Sequence, residues 1–471
     1  MPTDRPNILI VMSDEHDPRV SEPYGHPFVQ TPNLRRLSER GVVFENGYCN
    51  SPLCVPSRAS FMTGKHLHRI GVWDNGVPLA SDEPTWAHRL NALGYETALA
   101  GKMHFIGPDQ RHGFGRRLVE DIHGRFRMDP PDWRNDGPGN AKMRQRFQEA
   151  GPGDSLHQIY DDEVTRQSVA YLSEPARREQ PWALCASLIT PHFPLIVRQR
   201  YWDLYYPDHA DLPPPPPDHD HERLHPQSQR LNRYFDCALE VPEEQIRRCR
   251  AAYYGLVTYC DERIGEILDV LQRTGQAENT IVAYVADHGE MHGQHGMWWK
   301  CSFYEGSVRI PFILSWPGRW APGRRRAAVS LLDLVRTICE RAGDVGEDLD
   351  GRSLAGELEG SASDGDGLAV AEYEGHGTVT PGRMVRRGQH KLNYYLDEPP
   401  ELFDLAADPD EFHNLAASPA HAVVREELTA IALRDWDPIA VKARVLASQT
   451  RRQRLVAGEP CPHSPEWHPP G

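Results

Sequence analysis

The chain has 471 residues and a formal net charge of −15, from 67 acidic and 52 basic side chains. A negatively charged surface repels phosphate backbones, so this balance argues against a nucleic-acid partner. No apolar run approaches the roughly 20 residues that span a bilayer, which argues against a membrane protein. Hydrophobic residues make up 39% of the chain and charged residues 25%, as expected for a globular protein.

The first apolar run and the cysteines together indicate a reducing, cytoplasmic location. Residues 8–12 form a run only one strand long, and no small-residue cleavage site follows it, so we expect no secretory signal. The nine cysteines are dispersed and include no Cys-x-x-Cys pair. Their spacing argues against a disulfide framework and against a cysteine zinc site.

Four apolar segments are predicted to be buried strands of an α/β fold: 7–12, 95–100, 182–189 and 280–286. Each is followed at once by polar residues, namely Asp14, Lys102-Met103-His104, His192 and Asp287-His288. Helices are predicted from Pro32, with Thr31 as its cap, and over 85–93. Open α/β sheets bind ligands beyond the carboxyl ends of their strands, so we expect these polar residues to form one active site.

The remaining segments predict insertions and a second, smaller unit. Residues 105–150 are rich in Gly, Pro, Arg and Asp and are interpreted as a long loop insertion, and the five prolines at 213–217 as a stiff surface segment. Residues 345–368 resemble a linker. Beyond it, short strands are predicted at 368–374, 383–387 and 391–395, and helix over 419–457. We therefore divide the chain into a catalytic domain, 1–365, and a C-terminal α+β subdomain, 366–471.

Cys54-Val55-Pro56-Ser57-Arg58, followed by Thr63-Gly64, is the most specific motif. It resembles the signature of type I sulfatases, in which a separate maturation enzyme oxidises the cysteine to formylglycine. Further segments resemble the family's motifs in family order: Gly101-Lys102-Met103-His104, Pro191-His192-Phe193-Pro194, Asp287-His288-Gly289-Glu290, Trp299-Lys300 with Arg309-Ile310-Pro311, and Pro400-Glu401-Leu402-Phe403. The resemblance implies an alkaline phosphatase-like fold, with a large, mostly parallel sheet flanked by helices.

A divalent metal ion is the first cofactor that the resemblance implies. Its ligands would be Asp14, residue 54, Asp287 and His288. Oxygen-dominated sites suit Ca²⁺, Mg²⁺ or Mn²⁺, and the histidine tilts the expectation slightly toward Mn²⁺. Glu15 stands where many relatives carry a second aspartate, and its role as an extra ligand is left open.

The other predicted site residues surround residue 54. They are Arg58, Asn75, Lys102, His104, His192 and Lys300. Arg58 lies one helical turn beyond Cys54 and would hold its oxygens. Lys102 and His104 would orient the hydrated aldehyde, which is the nucleophile.

Four of these residues would bind the substrate, a small sulfate ester. His192 and Lys300 would contact the sulfate and the leaving oxygen, and Asn75 would hydrogen-bond a sulfate oxygen. Lys102 completes the predicted substrate-binding set. Such an ester needs a nucleophile, fixed cations for its oxygens and help for the departing alkoxide.

The predicted reaction is hydrolysis of a sulfate monoester to an alcohol and sulfate. An alternative is a phosphonate monoester hydrolase or phosphodiesterase with the same nucleophile and metal ligands, because a diester anion also carries one negative charge. A second alternative, from another class, is a catalytically silent metal-binding homologue with an unmodified Cys54.

Within the family, the chain resembles the choline sulfatases, through Ser51-Pro52-Leu53-Cys54 and Lys102-Met103-His104-Phe105 among others. By analogy with them we expect a homo-oligomer. A quaternary ammonium group needs aromatic faces or carboxylates around it. The insertion at 115–140 offers few aromatic residues, Phe126 and Trp133 among them, so the alcohol portion of the substrate stays open.

Overall fold

The computed structural model describes residues 5–123, 130–134, 142–175, 180–214, 224–238, 241–360 and 367–458, with residues 467 and 469. The strands are β1 Asn7–Asp14, β2 Val42–Tyr48, β3 Glu96–Gly101, β4 Arg116–Val119, β5 Gly151–Pro152, β6 Trp182–Pro191, β7 Ile196–Val197, β8 Thr280–Ala286, β9 Phe312–Ser315, β10 Gly323–Ser330, β11 Leu368–Tyr373, β12 Gly382–Arg387, β13 His390–Tyr395 and β14 Glu401–Asp404.

The helices lie between and after these strands. They are α1 Pro32–Ser38, α2 Cys54–Thr63, α3 Leu67–Ile70, α4 Trp86–Ala92, α5 Lys142–Gln148, α6 Leu156–Ser173, α7 Gln199–Trp202, α8 Pro226–Tyr234, α9 Glu243–Arg273, α10 Glu305–Val308, α11 Leu331–Ala342, α12 Ala355–Leu358, α13 Ala422–Leu433 and α14 Pro438–Gly458.

Eight strands form the large central sheet, in the order β10-β2-β9-β8-β1-β6-β3-β4. β9 runs antiparallel to both of its neighbours, and the other adjacent pairs are parallel. Every residue of β1 is buried, because alternate side chains enter the two cores on opposite faces of the sheet. The prediction of an α/β fold with a mostly parallel sheet is confirmed.

A second sheet is antiparallel, with the order β11-β12-β13-β14, and α13 packs against β12 and β13. The predicted C-terminal strands are therefore present. The helical segment predicted over 419–457 is two helices, because Pro438 lacks the N–H that would continue α13 and disfavours helix at the residue before it. Residues 361–366 lie outside the described residues, so the division at 365 stays a prediction.

The insertion predicted as a loop over 105–150 contains regular structure. β4 adds an edge strand beside β3, and α5 packs against α9. Residues 124–129 and 135–141 are outside the described residues, as are three of the five prolines, 215–217. The prediction of a loop from proline and glycine content therefore missed a strand and a helix.

The start of α1 differs from its prediction. Thr31 precedes the helix, but its side chain makes no capping bond to it and accepts instead from the backbone N of Glu22, at 2.8 Å. Asp261 on α9 receives the N–H groups of Asn33 and Leu34, at 3.0 and 2.8 Å. A carboxylate from a distant helix thus replaces the local cap.

Within the part of the chain that the structure describes, no helix is both long and apolar enough to cross a bilayer. The eight described cysteines are buried, and their thiols are free.

Candidate active site

The carboxyl ends of four neighbouring parallel strands converge on one site. In the order β8-β1-β6-β3, they bring together Asp287, Asp14, His192 and Lys102. Gly101 makes this approach close: its φ is 98°, and a Cβ atom there would lie 2.1 Å from the carbonyl oxygen of Ser187. Only glycine fits such a backbone position.

Cys54 opens α2 and lies in the centre of the site. Its Sγ atom is 3.2 Å from Nε2 of His288 and 3.9 Å from Oδ1 of Asp14. Burial raises the pKa of the thiol to about 11, and Asp14 adds to that rise. An unmodified Cys54 is therefore a protonated thiol and a poor nucleophile at neutral pH.

Four residues could hold a metal ion together. The ligand atoms of Asp14, Cys54, Asp287 and His288 all lie within 4.8 Å of one another. Oδ1 of Asp14 and Oδ1 of Asp287 are 3.8 and 3.7 Å from Nε2 of His288. The other ring nitrogen of His288 lies 3.0 Å from the carbonyl oxygen of Gly289, which leaves Nε2 directed at the cluster. The side chains of the predicted ligand set therefore lie close together.

Arg58 lies between the two carboxylates of the cluster. Its guanidinium donates to Oδ2 of Asp14 at 2.8 Å and to Oδ2 of Asp287 at 2.7 Å. It also donates to the carbonyl oxygen of Lys102 and to the hydroxyl of Ser187. The arginine, which is 1% exposed, joins the two carboxylates and reduces their mutual repulsion.

Lys102 is fully buried, and its ammonium group lies 2.5 Å from Oδ2 of Asp14. Burial alone would raise the pKa of Asp14. Lys102, His192 and Arg58 outweigh that effect and hold the pKa well below its ordinary value. Asp14 is therefore a carboxylate, as a metal ligand must be.

Lys300, His192 and Glu15 form a second group beside the first. Oε2 of Glu15 lies 3.1 Å from the Lys300 ammonium and 3.3 Å from Nε2 of His192. Lys300 also lies over the ring of Phe193, 5.2 Å from its centre. Glu15 has a φ of 66°, unusual for a residue with a side chain. Asp14, Glu15 and His192 form a second group of close ligand atoms. The position of Glu15 therefore allows it to act as an extra metal ligand or as the partner that holds Lys300 and His192.

Two further predicted site residues, His104 and Asn75, belong to the segments that follow β3 and α3. Burial and the charge of Lys102 lower the pKa of His104 well below its ordinary value, so its ring is neutral. Its Nδ1 atom has no hydrogen-bond partner among the described residues. Asn75 accepts from the backbone N of Val55 at 3.0 Å through Oδ1.

Sequence reasoning missed Glu290, which connects two parts of the site. Oε1 of Glu290 accepts from the backbone N of His292 and of Trp299, both at 2.7 Å. It therefore holds the segment that carries Lys300. Glu290 was visible only as the last residue of the Asp287-His288-Gly289-Glu290 motif, which says nothing about a contact nine residues further along.

The chain resembles known proteins over nearly its whole length. The sulfatase family model matches residues 6–344, and the model described as N-sulphoglucosamine sulphohydrolase, C-terminal, matches residues 293–435. The chain is 38% identical to the choline-sulfatase of Rhizobium meliloti (strain 1021), over 96% of this chain and 91% of the relative. It is 30% identical to arylsulfatase K of Gallus gallus, over 88% and 79%.

Among solved structures, the phosphonate monoester hydrolase SpPMH from Silicibacter pomeroyi superposes with a TM-score of 0.74. It is 26% identical, and the match covers 91% of this chain and 95% of that one. The chain is thus similar in sequence to proteins named sulfatases and similar in fold to a phosphonate monoester hydrolase.

Proposed function

Because the chain belongs to the sulfatase family and is a sulfuric ester hydrolase, we propose that its nucleophile is a formylglycine made from Cys54 by a maturation enzyme. One observation carries this proposal: Sγ of Cys54 lies 3.2 Å from His288 and 3.9 Å from Asp14, among the metal-ligand candidates. The backbone N–H groups at the start of α2 favour negative charge on residue 54.

The donor atoms of the cluster fit one divalent ion. Two carboxylates, one imidazole and an oxygen of the modified residue 54 suit Mn²⁺, Ca²⁺ or Mg²⁺. When bound, such an ion would polarise the oxygen of residue 54 and offset the charge of the sulfate group. Asp14, Asp287 and His288 would hold it.

Lys102 and His104 would prepare residue 54 for attack. The ammonium group of Lys102 lies 2.5 Å from Oδ2 of Asp14, and in the proposed mechanism it orients the hydroxyl groups of residue 54. His104 is neutral and has a free Nδ1 atom among the described residues. We assign Nδ1 to accept a proton from residue 54.

Lys300 and His192 would stabilise the leaving oxygen. Burial would lower the pKa of Lys300, but its neighbours Cys54, Glu15 and Asp14 outweigh that effect and raise the pKa above its ordinary value. Lys300 therefore carries a positive charge at neutral pH and can meet the developing alkoxide. Glu15 fixes both side chains through one oxygen atom.

The proposed nucleophile is tested by measuring the mass of the tryptic peptide with residue 54 and the sulfatase activity of the same preparation. Conversion of Cys54 to formylglycine lowers the mass of its tryptic peptide by about 18 Da. A fully active preparation with only unmodified thiol would overturn the proposal. An inactive preparation that keeps the thiol after co-expression with a maturation enzyme would favour the silent homologue.

Phosphonate ester hydrolysis remains the second candidate, favoured by the structural match to the phosphonate monoester hydrolase. A parallel screen of nitrophenyl sulfate, choline sulfate, a sulfated sugar and an aryl phosphonate compares kcat/KM values directly. A higher kcat/KM for every sulfate than for the phosphonate supports the sulfatase, and the reverse order overturns that preference. The best sulfate in the same screen would identify the alcohol class.

We propose a homo-oligomer from the resemblance to choline sulfatases, and a cytoplasmic location from the short first apolar run without a cleavage site. Light scattering of the purified protein tests the first, and cell fractionation tests the second.

A further inference from the structure

Two buried aspartates accept backbone hydrogen bonds from the turns that carry His104 and His192. The first is Asp121, in the segment after β4. Its Oδ2 atom accepts from the backbone N of Met103 at 2.8 Å and of His104 at 2.5 Å, and its Oδ1 accepts from His123 at 3.2 Å. His104 has a φ of 59°, which disfavours a residue with a side chain, so its turn needs external support.

The second aspartate is Asp161, on α6. Its Oδ1 atom accepts from the backbone N of Ile189 at 2.8 Å. Its Oδ2 atom accepts from the backbone N of Thr190 at 2.9 Å and from the Thr190 hydroxyl at 2.6 Å. His192 belongs to the same turn, because its backbone N donates to the carbonyl oxygen of Ile189 at 3.0 Å.

Burying a carboxyl group costs free energy unless hydrogen bonds compensate for the lost water. The hydrogen bonds of both aspartates to the two turns provide that compensation. Asp161 is fully buried, and burial raises its pKa to about 7 in spite of its hydrogen bonds. For Asp121, burial acts in the same direction, but Arg117 and His123 hold the pKa below its ordinary value. Each aspartate thus accepts from two consecutive backbone N–H groups next to a proposed catalytic histidine.

We infer that Asp121 and Asp161 are positioning residues, which fix the imidazole rings of His104 and His192 by holding the backbone of their turns. The inference rests on the roles proposed above for the two histidines. A displacement of about 1 Å can cost up to about 100-fold in rate when reacting groups are held for attack. Loss of either carboxylate should therefore change the chemical step and not only stability.

Asp161→Asn tests the turn of His192. The new amide NH₂ group would face an N–H or O–H donor, so at least one hydrogen bond is lost. Because His192 is assigned to the leaving oxygen, kcat/KM for an alkyl sulfate should fall about 10- to 100-fold. Nitrophenyl sulfate, whose leaving group needs little help, should lose much less.

Asp121→Asn tests the turn of His104 and should give a different signature. His104 is assigned to residue 54, the nucleophile, which acts on every substrate. The variant should therefore lower kcat by a similar factor, about 10-fold or more, for alkyl and nitrophenyl sulfates alike. KM should change little, because sulfate binding is assigned to other side chains.

Asp261→Asn is the matched control. Asp261 is also buried and also accepts from two consecutive backbone N–H groups, but at the start of α1. All three variants should lower Tm, whereas only Asp161→Asn and Asp121→Asn should change the kinetics of the folded enzyme.

Where Asp161→Asn does not fold, Thr190→Val removes one hydrogen bond and should give the same selectivity in weaker form. Asp121→Glu serves the same purpose for the other turn.

Two outcomes would separate the inference from the proposed function. If His104→Ala and His192→Ala lower the rates while Asp121→Asn and Asp161→Asn behave like Asp261→Asn, the aspartates are structural only and the inference is wrong. If neither histidine variant changes the rates, the assignment of the histidines fails instead, and the inference falls with it.

Discussion

The ammonium group of Lys300 lies in a site that combines burial with negative charge. The lysine is 6% exposed, contacts Glu15 at 3.1 Å and lies over Phe193. Exclusion of water strengthens its field at a nearby oxygen. A fixed positive charge at this position favours a leaving group that gains negative charge late in the reaction.

Lys300→Ala should impair the hydrolysis of alkyl sulfates much more than that of nitrophenyl sulfate. An alkoxide departs with nearly a full charge, whereas a nitrophenolate is already a stable anion. Removing one such donor costs on the order of 10²–10³ in rate. In a plot of log kcat/KM against the pKa of the leaving alcohol, the variant should have the steeper slope.

Lys65→Ala is the control for Lys300→Ala. Lys65 is also 6% exposed and pairs with the carboxylate of Glu83 at 2.6 Å, but at the other end of α2 from Cys54. Its slope should equal that of the wild type. Parallel lines for Lys300→Ala and wild type would mean that Lys300 binds ground state and transition state equally.

Single residues differ in how well the sequence could predict them. Asp14 and Asp287 directly follow apolar strands, so their convergence could be predicted from strand order. The partners of Arg58 could not be predicted from the sequence, because its contact with both carboxylates depends on how α2 packs against the ends of β1 and β8. The contact of Glu15 with Lys300 joins residues 285 positions apart, and no local pattern predicts such a contact.

At the scale of elements, the parallel pairing of β1 and β8 places two carboxylates side by side. Unpaired, they would repel each other, and together with His288 and residue 54 they offer the ligand atoms for one divalent ion. Asp287→Asn should therefore lower both the bound divalent metal and the activity. Metal analysis of the purified protein, together with kcat, measures the two losses on one sample.

Asp17→Asn is the control for the metal prediction. Asp17 is buried near the same end of β1, but it pairs with Arg19 at 2.8 Å and His292 at 3.0 Å and lies outside both groups of ligand candidates. Its metal content should match that of the wild type. Full metal occupancy in a doubly substituted Asp14→Asn, Asp287→Asn protein would contradict the assigned ligands.

Strands with a continuous apolar pattern could be predicted from the sequence, whereas a strand without such a pattern could not. The predicted strand 280–286 coincides with β8, because a continuous apolar run bounded by polar residues has one stable placement in a parallel sheet. β4 was missed, since Arg116 and Arg117 make half of it basic. As an edge strand it is only partly buried, so an apolar pattern is not required there.

On the scale of the whole molecule, a buried charge cluster joins the two sheets. Lys391 on β13 lies 2.9 Å from Glu305 at the start of α10 and 2.5 Å from Glu411. The lysine is fully buried, and both carboxylates are nearly so. The cluster therefore links the segment that follows Lys300 to the antiparallel sheet.

Lys391→Met should destabilise the protein by about 3 to 5 kcal/mol, because it leaves two buried carboxylates without their cation. Denaturant unfolding measures the change. Lys442→Met is the control, since Lys442 pairs with Asp397 at 3.5 Å in an exposed position. Its effect should stay below about 1 kcal/mol. Equal effects of the two variants would mean that the buried cluster adds nothing to the contact between the sheets.

The same cluster should make stability depend on pH through Glu411. Burial and the neighbouring Glu305 raise its pKa from 4.5 to about 7, although Lys391 acts in the opposite direction. Between these two pH values the folded protein keeps a proton that the unfolded chain releases, so this group's contribution to stability falls as pH rises from 4.5 to 7.

Glu411→Gln abolishes the titration of this group. The free energy of unfolding of the wild type minus that of Glu411→Gln should therefore decrease across this window and level off above about pH 8. A difference that rises with pH would show that Lys391 dominates and keeps Glu411 ionised in the folded protein.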